Sequence, residues 1–140
     1  YYLGGYMSKL VHAIKCRFPV GFDSIVRAVL DIGSASNIYY EQLPVKPRVF
    51  VTVGEKYYIR AGNALIATTI VVEGSGYTEV KVITGGGKKG LLDLFDLGSS
   101  KDYAHEIIES ISRRIGIKPI DIMEIDYMDA GKSSNLWTKP

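Results

Sequence analysis

Residues 49 to 84 read VFVTVGEKYYIRAGNALIATTIVVEGSGYTEVKVIT. Four strand-like runs stand out, Val49–Val53, Lys56–Arg60, Ala64–Glu73 and Tyr77–Thr84, and a short turn sequence containing glycine separates each from the next. Valine, isoleucine, threonine and tyrosine suit a pleated, half-buried surface. Connections as short as Gly54-Glu55 and Ala61-Gly62-Asn63 leave successive strands no room to run other than antiparallel. The stretch therefore predicts a four-stranded antiparallel meander. Its third run differs from the others: Leu65, Ala67, Thr69 and Val71 alternate with Ile66, Thr68, Ile70 and Val72, so neither face is polar. A strand of an antiparallel sheet with water on one side carries one polar face. This predicts a cover over the second face, supplied by residues 117–128 folding back or by another subunit.

Working outward, Leu10, His12, Ile14, Cys16 and Phe18 alternate with Lys15 and Arg17 as a first strand. Pro19 and Gly21 end it, and Asp23 or Ser24 can accept the free amides of a helix that carries Ile25, Val26, Val29, Leu30 and Ile32 as far as Gly33. Ser34-Ala35-Ser36-Asn37 reads as a loop, and Pro44 and Pro47 hold the approach to the meander extended. Beyond the meander, Ser99 and Asp102 form a capping pattern. It precedes the apolar stripe Tyr103, Ala104, Ile107, Ile108, Ile111 and Ile115, which Gly116 ends. Ile120, Ile122, Met123 and Ile125 suggest a late strand whose apolar phase shifts between Ile122 and Met123. The fold class is α+β: two layers in the order β-α-β(4)-α, an antiparallel meander packed against two helices, with that strand added at the C-terminal end.

The chain has 140 residues, of which 46% are hydrophobic and 23% charged, enough to bury the core of one domain. Residues 1–8 read as an N-terminal extension, 9–128 as the domain and 129–140 as a polar tail anchored at Leu136 and Trp137. A net charge of +2 is too small to favour a nucleic-acid partner. The lone Cys16 excludes an intramolecular disulfide and fits a cytoplasmic setting. No run reaches the ~20 apolar residues of a membrane span, and residues 1–6 lack a secretory pattern.

One local motif invites a ligand. In Gly85-Gly86-Gly87-Lys88-Lys89-Gly90, glycines let consecutive amides face one concavity while lysines add charge, which suits a small anion or nucleotide phosphate. It lacks P-loop spacing, and a solvated connection is the plainer reading. His12 and Cys16 share a strand face about 13 Å apart at ~3.3 Å per residue, too far for one metal ion. His105 and Glu109 stand one helical turn apart, where a solvated surface pair is the ordinary outcome. Asp121, Glu124, Asp126 and Asp129 make an acidic run that reads as a solvated edge, and Tyr57, Tyr58 and Arg60 as cross-strand packing. Ser99 and Ser100 have no His and Asp at triad spacing. No catalytic residue, metal site or cofactor is expected.

The strand and helix order resembles that of TATA-box-binding-protein repeats and of the helix-grip proteins. Residues Arg48 to Arg114, with Thr84-Gly85-Gly86-Gly87 between the last meander strand and the closing helix, resemble a family of small prokaryotic proteins known only as a domain of unknown function. That resemblance implies a fold and no site residues, and the segment after Gly116 departs from its pattern. The expectation is a binding or assembly domain, leaning away from catalysis, that takes a small anion or apolar ligand or forms a homo-oligomer through its sheet.

Overall fold

The structure is a computed structural model and describes residues 11–32, 36–59, 62–86, 98–126 and 129–140. In chain order it contains β1 (His12–Phe18), α1 (Phe22–Leu30), β2 (Ser36–Leu43), β3 (Val49–Tyr58), β4 (Asn63–Glu73), β5 (Thr78–Gly86), α2 (Ser99–Ile115), β6 (Ile120–Asp126) and a 3₁₀ segment, Ala130–Leu136. The strands form one six-stranded sheet in the order β2-β3-β4-β5-β1-β6. All neighbours are antiparallel.

Cross-strand rows explain the core. Phe50, Val71, Val80 and Cys16 lie side by side across four strands, and Thr52, Thr69, Val82 and Ile14 form the next row. These rows face the two helices. From α1 they meet Phe22, Ile25, Ala28 and Val29, and from α2 Tyr103, Ala104, Ile107, Ile108 and Ile111. Side chains of this kind each contribute about 1.5–3 kcal/mol when fully withdrawn from water. The stripe expected on the closing helix is the buried one, and Gly116 ends it at φ 74, a left-handed position that glycine takes without penalty.

Several expectations are corrected. Val49–Tyr58 is one continuous strand, with Gly54-Glu55 inside it rather than turning it. Gly54 is there because a Cβ would lie 3.2 Å from Asn37 Oδ1 and 3.3 Å from the Ser36 carbonyl oxygen, so it admits a close approach by β2. Residues 36–43, read as loop and extended approach, form the edge strand β2, whose side chains are exposed except for the half-buried Leu43. Helix α1 begins at Phe22 behind Gly21, not at a cap by Asp23 or Ser24, and the Asp23 carboxylate instead accepts from Arg48 Nη1 at 3.1 Å. Helix α2 begins at Ser99 itself, since the Gly98 carbonyl already accepts the Asp102 amide at 2.8 Å.

The second face of β4 is not covered by residues 117–126, the described part of the segment expected there. The strand in that segment, β6, pairs with β1 at the far side of the sheet. A register shift between Lys15 and Arg17, with Asp121 at φ 52, accounts for the change of apolar phase within β6. Among the described residues, the face away from the helices is covered only in part. Leu136 of the C-terminal segment packs with Ala13, Ile83 and Ile125. Beside it Thr138 Oγ1 donates to Glu79 Oε2 at 2.5 Å, and Lys15 Nζ donates to the Trp137 carbonyl at 3.0 Å. Leu136 is thus the anchor of the tail, while Trp137 stays exposed.

Candidate metal centre

The Ile14 row continues onto β6 at Glu124, and the next row crosses β1 at His12. Both side chains therefore emerge on the helix-covered face at the sheet's β1–β6 end. Helix α2 crosses that end and brings His105 over them, with the two imidazole centroids 6.2 Å apart. Glu124 lies between the rings. Its Oε1 is 2.5 Å from His105 Nε2, and its Oε2 is 3.4 Å from His12 Nε2.

The two histidines differ in environment. His105 is 40% exposed at its side chain, whereas His12 is 14% exposed and its Nε2 is buried without a hydrogen-bond partner. Burial depresses the His12 pKa below the ordinary histidine value, and the Glu124 carboxylate opposes that effect only in part. A neutral imidazole keeps a lone pair on one ring nitrogen, the form that ligates metals.

One ligand atom from each of His12, His105 and Glu124 can be chosen so that all three lie within 4.8 Å of one another. A tetrahedral zinc ion with bonds of ~2.0–2.1 Å spaces its ligand atoms about 3.4 Å apart. The His12–Glu124 separation already matches that spacing. His105 and Glu124 would open by about 1 Å as an ion replaces their direct contact. Two imidazoles and a carboxylate are a donor set used for zinc and for other first-row divalent ions.

Sequence reasoning weighed each of these residues and did not join them, because they come from three elements far apart in the chain. Their one shared signal is rarity: the chain has two histidines, and both are here. Glu109, the residue first considered beside His105, is exposed, while Cys16 is buried in the core. The rest of the acidic run divides: Asp121 lies 3.9 Å from Arg17 and Asp129 3.3 Å from Lys132. The Tyr58 hydroxyl donates to Glu106 at 3.1 Å, and Tyr57 faces solvent. In the expected anion loop, Gly85 and Gly86 are the last residues of β5, opposite Ile66 and Leu65, because β4 is long enough to keep pairing with them. Gly87, Lys88, Lys89 and Gly90 lie outside the described residues, as do Arg60 and residues 1–8.

A family model described as a family of unknown function, DUF6054, matches residues 7–115. The chain belongs to this family. The match takes in β1 through α2, so His12 and His105 lie inside it and Glu124 beyond it. No curated protein matches the chain. Among the described residues no helix is long and apolar enough to cross a membrane.

Proposed function

We propose that this chain is a metal-binding domain that holds one divalent ion of the zinc type through His12, His105 and Glu124. One observation carries the reading: the only two histidines of the chain converge on a single carboxylate, and the ring nitrogen of the more buried one lies 3.4 Å from it. Three protein ligands leave a fourth position for water or a small donor. The partial exposure of His105 and Glu124 supports access to it. The ion would tie β1, α2 and β6 together.

The helix-grip resemblance would instead put a ligand between helices and sheet. The space lined there by Asn37, Thr52, Thr69 and Tyr103 measures about 10 Å³, room for about one water molecule. The binding reading therefore rests on the histidines.

Calorimetric titration of the whole chain with zinc tests it. One ion per chain is expected, with binding weakened at least about tenfold in each of His12→Ala, His105→Ala and Glu124→Gln, and unchanged in Glu109→Gln. Absence of saturable zinc binding, or binding equally tight in Glu124→Gln, would overturn the proposal.

A further inference from the structure

On the β2 side the described sheet ends in an edge with few of the usual protections. Strand β2 carries no lysine, arginine or proline, and exposes Ile38, Tyr39 and Tyr40 at 56%, 45% and 59%. Natural sheets blunt such edges because an open row of backbone donors and acceptors recruits another strand. Here only the irregularity between Asn37 and Tyr39 interrupts the edge, leaving Tyr39 to Leu43 in regular register with β3. Behind this edge the face away from the helices continues inward with half-buried side chains. Tyr39 stands opposite Val53, Glu41 opposite Val51, and those two valines lie opposite Thr68 and Ile70 of β4. The C-terminal segment packs elsewhere on this face, on Ala13, Ile83 and Ile125.

We infer that β2 pairs antiparallel with β2 of a second copy, about a two-fold axis at Tyr40, to give one continuous sheet. Symmetry and charge select both the partner and the register. A two-fold axis perpendicular to the sheet keeps like face beside like face only if it passes through a residue, because side chains alternate along a strand. Centred on Glu41, that pairing would set two carboxylates directly opposite each other, which is unfavourable. Centred on Tyr40, it sets Glu41 opposite the partner's Tyr39, so that each Tyr39 hydroxyl, which donates to its own Glu41 in the single chain, can pass that one hydrogen bond to the partner's Glu41. Ile38 then meets the partner's Gln42, and the two Tyr40 rings meet on the axis above Phe50, the ring beside which Tyr40 already stands at 6.3 Å. The single charge of β2 thus finds a polar partner in a second copy of itself.

Sedimentation equilibrium of the whole chain tests this. The expected mass is twice 15.4 kDa at micromolar to millimolar concentration. Tyr40→Lys, which sets two ammonium groups against each other on the axis at an exposed position, is expected to weaken the dimer at least tenfold while circular dichroism stays unchanged. Amide exchange gives a second readout: amides of residues 39–43 that point away from β3 should be protected in the dimer and lose that protection on dilution. A monomer at millimolar concentration would overturn the inference. So would a dimer that Tyr40→Lys does not weaken, or edge amides whose exchange ignores dilution.

Discussion

Cys16 and Glu73 show how differently two titratable side chains can be placed by one sheet. Cys16 is fully buried in the row between Val80 and the helices, and desolvation, helped by the nearby Glu79 charge, pushes its thiol up to about 12. Because the thiolate is the reactive form, Cys16 should resist a thiol reagent at pH 8 and react only on unfolding, as a colorimetric thiol assay with and without denaturant will show. Glu73 sits at the surface. Hydrogen bonds from the Arg48 side chain and backbone hold its carboxyl below the ordinary 4.5. A lowered carboxylate value means that the folded state binds its proton less readily, so this stabilisation is complete above the ordinary value and is lost as pH falls through the folded one. Glu73→Gln should flatten the acid side of a stability-against-pH curve measured by urea unfolding, slightly, because the pair is solvated.

Among the elements, the helices were the easier to read. Their apolar residues recur at helical spacing, and Gly116 marks the end of α2 by its own conformational freedom. Strand β2 was not legible, because an edge strand exposed on both faces carries no alternation to detect. Gly54 misled for the opposite reason: a turn-forming residue was needed inside a strand for close approach to Asn37. The C-terminal segment looked like a polar tail, yet it supplies the Thr138 hydroxyl to Glu79, whose side chain is 3% exposed. A hydrogen bond to a charged group contributes about 1.5–3 kcal/mol, so Thr138→Val should lower unfolding stability by roughly that amount. Chemical denaturation checks it, and a change below about 0.5 kcal/mol would show that Lys15 and Lys81, whose ammonium groups lie 3.9 and 4.0 Å from the Glu79 carboxylate, suffice for it.

At the scale of the whole molecule, the sheet is divided. Among the described residues, helices cover the β3-β4-β5-β1 part of one face, the C-terminal segment packs on part of the other, and β2 is exposed on both. The candidate metal centre joins three elements that meet at one end of this arrangement. An ion bound only by the folded chain stabilises it by mass action, about 2.7 kcal/mol at a free concentration one hundred times the Kd. Calorimetry should show the melting temperature rising with zinc in the native chain and not in Glu124→Gln.

Local patterning alone determined the antiparallel sheet, the buried stripe of α2 and the presence of a late strand, because each depends on residues close together in the chain. Tertiary structure alone decided which edge β6 would pair with, what the C-terminal segment would cover, and that His12, His105 and Glu124 would meet. These depend on contacts between distant segments, and their closeness follows from the order of the strands, which no spacing along the chain records.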